Sequence, residues 1–216
     1  MPIQIKAFFI SVFLILLCGC SGVYYNAMEK VGVHKRDIMV DRVKKARDTQ
    51  NETKQQFVTA MEQFKSVVNF KGGDLEKEYK KLSATLQRSE DKANEVRDRI
   101  KAVEDVSEAL FDEWRAEIAQ YSSDKLRRAS KQKLDLTLSK YNTLIKAMKK
   151  AEAKLEPALI PLRDQVLFMK HNLNAKAIAG LSAEVVSVQA NVDKLVKEME
   201  NATAQADSFI SALETE

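Results

Sequence analysis

The chain has 216 residues, with 45% apolar residues and 35 Lys and Arg against 31 Asp and Glu, for a formal charge of +4. That apolar content can form a core, which excludes a disordered chain. Six Gly and three Pro are too few reversing residues for a sheet-rich, collagenous or low-complexity chain, so a helical protein of one globular domain remains.

Residues 1–19 read as a sorting signal. Lys6 precedes the apolar run from Phe8 to Leu17, which is shorter than the ~20 residues a bilayer span needs and has the layout of a secretory signal peptide. Its exit, Leu17-Cys18-Gly19-Cys20, resembles the lipobox of bacterial lipoproteins. The resemblance implies cleavage before Cys20, lipidation of that sulfur, and loss of Cys18 with the signal, leaving no disulfide and no cofactor beyond the covalent lipid. Ser21 stands where enteric lipoproteins kept in the inner membrane have Asp, which implies sorting to the periplasmic face of the outer membrane. Residues 20–26 are then a lipidated start and short tether. Two or more acyl chains suffice for stable anchoring at ~0.8 kcal/mol per buried CH₂.

From residue 27 the pattern is helical. Met39, Val43, Ala46, Phe57, Ala60, Phe64 and Val67 follow alternating steps of four and three, with Gln50 and Thr53 as polar gaps. A second register runs from Leu75 through Leu82, Val96, Val103 and Trp114 to Tyr121, interrupted at Ser89, Ser107 and Glu117. A third runs from Leu134 through Leu138, Tyr141, Ile145 and Met148 to Leu173, with Glu152 its exception. The last is complete, from Leu181 through Val188, Leu195 and Phe209 to Leu213. Spacing near 3.5 residues keeps one face toward a neighbour, as in coiled coils.

Turn signals divide these registers. Lys71-Gly72-Gly73-Asp74 combines two residues free to take positive φ with an Asp that can cap the next helix. Tyr121-Ser122-Ser123-Asp124 offers capping side chains and predicts a hairpin, with one uninterrupted helix as the competing arrangement. His171-Asn172-Leu173-Asn174 supplies one Asn for a left-handed helix end and another for the next cap. The expected helices are about 27–70, 74–120, 124–171 and 175–213, each ~60 to 70 Å long. Equal lengths and short turns predict an all-α, up-down-up-down antiparallel bundle of four helices over residues 27–216. Pro157 and Pro161 lie inside the third helix and should bend it, as curvature or as a hinge.

In that layout the lipid anchor and the 121–124 turn share one end. Two stretches there each carry three more cations than acids. One holds Lys30, Lys35, Arg36, Arg42, Lys44, Lys45 and Arg47; the other holds Lys125, Arg127, Arg128, Lys131 and Lys133. Anionic headgroups attract such cations at ~1 kcal/mol each. A solvated helix face is the plainer explanation. Nucleic acid is not expected, since no recognition motif accompanies the charge.

No catalytic or metal constellation is legible. His34 and His171 fall at opposite ends, and there is no phosphate loop, His-Glu-x-x-His helix or Cys pair with zinc spacing. Trp114 occupies a register position and reads as core. The mature chain resembles an uncharacterised family of helical proteobacterial lipoproteins known as a domain of unknown function, through Phe111-Asp112-Glu113-Trp114 and the stretch from Asp164 to Ala175. The resemblance implies no activity. The expected role is therefore a non-enzymatic scaffold or spacer anchored in the outer membrane. It presents Gly72, Gly73, His171, Asn172 and Asn174 to an envelope protein or cell wall ~65 Å from the lipid. The alternative is a membrane-remodelling or pore-forming protein that opens its bundle.

Overall fold

The structure, a computed structural model, describes residues 24–25, 28–29, 32–70, 72, 74–174, 178 and 180–215. The signal sequence, Cys20, Lys30 and Gly73 lie outside the described residues. Among the described residues the long α-helices are α1 (Lys35–Val68), α2 (Leu75–Gln120), α3 (Asp124–Glu152), α4 (Leu155–His171) and α5 (Val185–Glu214), the last preceded by a 3₁₀ turn (Leu181–Glu184). No strand occurs among the described residues. Helices α3 and α4 follow one another in a single column, so the fold is an all-α bundle of four columns.

Polar pairs between columns fix direction and register. Lys35–Glu113, Lys92–Glu52 and Gln63–Glu78 run antiparallel along α1 and α2. Lys44–Glu214, Arg47–Asp207 and Lys54–Glu200 do the same for α1 and α5. Glu104–Lys149, Arg97–Glu156 and Glu90–Arg163 tie α2 to α3 and α4. Lys150–Glu198 ties α3 to α5.

The expected stripes are the core except at two ends, where Tyr121 and Leu173 are exposed and Trp114 is only half-buried because no column packs over them, and with two further revisions. All nine register positions of α1 are buried, and the polar gaps are among them. Hydroxyls manage this by bonding back along their own helix. Thr53 donates to the Thr49 carbonyl at 2.7 Å, Ser89 to Thr85 at 3.0 Å and Ser107 to Glu104 at 2.7 Å. Gln50 has no such recourse: it is fully buried, and neither amide atom has a partner among the described residues. The second revision concerns α3. Thr137, Leu144 and Ala151 are buried in place of Leu138, Ile145 and Glu152, which flank the core half-exposed. The steps of three and four from Leu134 then continue through Tyr141 and Met148 to Leu155, with no acid in the stripe.

Helix ends depart further from expectation. The long third helix is two helices, ending at Glu152 and restarting at Leu155. Pro157 has no N–H for the Ala153 carbonyl and its ring crowds that group, so the break falls four residues earlier and Pro157 occupies the first turn of α4. Pro161 alone remains inside a helix. Ala153 and Lys154 keep right-handed backbone angles, and Ala151, Leu155 and Ala158 are fully buried, so packing continues across the break.

The first helix begins at Lys35 rather than near 27. Gly32 takes φ +84°, its N–H bonds to the Glu29 carbonyl, and the Val33 N–H reaches back to Met28. This bond pair with a left-handed Gly ends a short N-terminal helical turn. At the far end of the fourth column the expected start at 175 lies outside the described residues; Ile178 and Gly180 are helical, and after the 3₁₀ turn α5 runs from Val185. Asn172 is not left-handed, having φ −132°; its side-chain amide instead donates to the Phe168 carbonyl at 2.9 Å. Asp74 caps α2 by accepting from the Lys77 N–H at 3.1 Å, and Ser123 caps α3 by accepting from Leu126. The chain thus reverses at 121–123 as a hairpin.

Candidate functional site

Two ends of the bundle carry the candidate residues. The near end gathers the start of α1, the hairpin between α2 and α3, and the end of α5. The far end gathers the 69–74 turn, the end of α4 and the start of α5.

At the near end the N-terminal turn docks on the bundle. Tyr25 is buried, and its hydroxyl accepts from Arg42 Nη1 at 2.6 Å, while the same nitrogen donates to the Ala102 carbonyl at 2.7 Å. The guanidinium also lies 5.3 Å from the centre of the Tyr25 ring. Burial pushes the Tyr25 phenol above its ordinary value, against the pull of Arg42. Lys35 Nζ donates to Glu29 at 2.6 Å and to Glu113 at 2.8 Å. Burial lowers that ammonium, but the hydrogen bonds to Glu113 and Glu29 outweigh it and hold it above its usual value. Its bond holds the Glu29 carboxyl below the usual range. Because Tyr25 sits beside Ala102 and Glu29 beside Glu113, the N-terminal turn descends toward the hairpin before α1 climbs away.

The basic stretches prove unequal. Lys35 is only 5% exposed, so it is an interior cation and not a surface one. Its depth comes from α2 closing over it with a carboxylate, which local charge counting does not register. Arg36 donates to the Leu213 carbonyl, Lys44 pairs with Glu214, Lys45 with Asp41, and Arg47 with Asp48 and Asp207. The bundle's own acids therefore offset the first stretch. In the second, Arg127 pairs with Asp124, while Lys125, Arg128 and Lys131 are exposed and make no ion pair among the described residues.

This second stretch also projects. Lys35 is level with Glu113, and α2 runs seven residues further, about 10 Å. No residue from Arg115 to Lys133 is buried. Trp114 stands at the root of the projection, half-buried, its indole N–H donating to the Ser130 hydroxyl at 2.9 Å. A cleft of about 200 Å³ beside it is lined by Arg36, Leu110, Glu113, Trp114, Glu117 and Leu213. The Arg36 guanidinium and Glu113 carboxylate in it are already engaged by Leu213 and Lys35.

At the far end, Gly72 takes φ +146°, and His171 and Asn174 are exposed with Asn172 half-buried between them. His34 is exposed at the opposite end, so the two histidines do not meet. Nearby apolar residues that the sequence reading did not single out are exposed as well: Leu167 at 62%, Phe168 at 43% and Val186 at 76%. The only available signal was their place off the core stripe.

Phe111-Asp112-Glu113-Trp114 is structural throughout. Phe111 meets the Tyr141 ring edge-on at 5.3 Å, Asp112 pairs with Arg115, Glu113 holds Lys35 and Trp114 holds Ser130. No described helix is long and apolar enough to cross a membrane. Over residues 24–213 the chain matches the family described as Protein of unknown function (DUF2959), and it belongs to that family. No curated protein matches it.

Proposed function

We propose that the protein is a non-catalytic scaffold or spacer, tethered through a lipid on Cys20 to the periplasmic face of the outer membrane, whose far end engages an envelope protein or the cell wall. The observation that carries this reading is the exposure of Leu167, Phe168 and Val186 at the far end of the bundle, in a chain whose sequence carries a lipobox-like Leu17-Cys18-Gly19-Cys20. Large apolar groups left in water beside polar turns mark contact surfaces. Helix α2 alone spans about 69 Å, so the two ends are held well apart. Core packing that continues past the 153–154 break favours a closed spacer over a bundle that opens to remodel membranes.

Labelled palmitate should appear on the protein and vanish with Cys20→Ala. A photo-crosslinker at position 73, 168 or 172 in cells should trap an envelope protein or peptidoglycan. Contacts only with other copies of this chain, or a protein without label, would overturn the reading.

A further inference from the structure

We propose that the projecting α2–α3 hairpin is a second membrane foot, which rests in the headgroups of an anionic phospholipid surface beside the anchor. The inference rests on the lipidation of Cys20 proposed above. Two independent features point to it, the chemistry of the hairpin and the reach of the tether.

Between Arg115 and Lys133 stand six cations, Arg115, Lys125, Arg127, Arg128, Lys131 and Lys133, against two acids, Glu117 and Asp124; Arg115 and Arg127 pair with Asp112 and Asp124, while Lys125, Arg128 and Lys131 are exposed with no ion pair among the described residues. At the very end of the projection Tyr121 is 38% and Leu126 is 55% exposed. An aromatic with a polar tip and an aliphatic residue, ringed by cations, suit the boundary between headgroups and acyl chains, where Tyr is enriched and Lys and Arg meet lipid phosphates. The first basic stretch lacks this character, because its described cations are committed to partners within the bundle.

The tether argument is geometric. Tyr25 is pinned beside Ala102, eighteen residues before the end of α2, which places the hairpin turn about 27 Å further along that helix. Five steps of the chain lead from Cys20 to the pinned Tyr25, and they span at most about 18 Å even when fully extended. Cys20 therefore cannot pass beyond the hairpin. With its acyl chains in the bilayer, an upright bundle would drive residues 121–126 through the plane that holds the lipidated cysteine. A headgroup layer is only about 5 to 7 Å deep on each side, so the column leans until the hairpin lies in that layer. The anchor and the hairpin then fix orientation as two points, and the far end stays lifted.

The test has two arms. In the first, acylated full-length protein carrying Leu126→Cys or Glu184→Cys, labelled with an environment-sensitive fluorophore, is reconstituted into vesicles of phosphatidylethanolamine with 30% phosphatidylglycerol, roughly the anionic content that makes a leaflet attract cations. The label at 126 should shift to the blue and be quenched by brominated lipid, and the label at 184 should do neither. In the second, the mature chain with Cys20→Ser is mixed with the same vesicles, with and without Lys125→Gln, Arg128→Gln and Lys131→Gln. Neutralising the three exposed cations should weaken partitioning at low salt at least about tenfold, with helix content unchanged by circular dichroism. Acylated protein that floats with vesicles while position 126 stays water-exposed would overturn the foot, as would binding indifferent to the three charges. Full-length protein that fails to float would overturn the anchor instead, and the second arm would still decide the affinity of the hairpin.

Discussion

Gln50 is the residue whose environment is least consistent with its chemistry. It is fully buried in α1 with both amide atoms lacking partners among the described residues. Leaving such groups unmet costs about 1–3 kcal/mol, and an apolar residue of the same shape removes that cost. Gln50→Met should therefore raise the unfolding free energy by about 1–2 kcal/mol, read as a higher urea midpoint at constant slope. A loss of stability would mean that the amide does find partners. The Lys35 triad makes a prediction in pH. Glu29 is held below its unfolded value of about 4.3, so its contribution is present above that pH and is lost as pH falls through the folded value. Lys35 is held above about 10.4, so its contribution is present below that pH and is lost as pH rises through the folded value. Hydrogen exchange over residues 24–33 should be slow and flat from about pH 5 to 10 after correction for the intrinsic rate, and should accelerate on both sides. Lys35→Met should abolish that plateau and cost about 2 kcal/mol. That is below the usual 3–5 for a buried pair, because Glu29 and Glu113 keep 29% and 32% exposure to screening water.

Elements were legible in proportion to how local their causes are. The stripes of α1, α2 and α5, the Asp74 cap and the hairpin at 121–123 follow from spacing and from side chains within one turn of the event they govern. Pro157 announced a disturbance, but its carbonyl clash acts four residues upstream, which is why the column breaks at 153–154 instead of curving around the proline. The α3 stripe was misread because Leu138 and Ile145 are apolar and sit one residue from Thr137 and Leu144; only the facing helices decide which pair turns inward. Gly32 followed by Val33 is the local signal for the helix stop that precedes α1 and docks the N-terminal turn. Lys35–Glu113 and Arg42–Ala102 join residues dozens of positions apart, and no periodicity reports such partners. The same limit applies to the candidate sites. Charge counting made the two basic stretches equal, and only the acids supplied by α5 and α2 separate the first from the second, where Lys125, Arg128 and Lys131 make no ion pair among the described residues.

For the whole molecule, shape is what distinguishes a spacer from a bundle that opens. A column about 69 Å long and about 20 Å across has a radius of gyration near 21 Å, whereas a compact domain of the same chain length has about 16 Å. The mature chain should therefore scatter in solution with a radius of gyration of about 21 Å, and should keep that value on phosphatidylglycerol vesicles when neutron scattering is recorded at the lipid's contrast match. An opening at 153–154 would swing α4 and α5 away from α1 and α2 and lengthen the particle well past that figure. It would also expose Leu155, Leu159, Leu162 and Met169, all now buried, together with the α5 stripe. That is a large apolar area to deliver to water, at about 25 cal/mol per Å², and no described group at the break compensates for it. The ion pairs around the break act in the same direction: Glu156 is clasped by Arg97 and Arg163, and Arg163 reaches on to Glu90 of α2. A closed column that holds its length is thus the expected state on and off the membrane, and growth of the protein's own contrast-matched radius on lipid addition would transfer the argument to the opening mechanism.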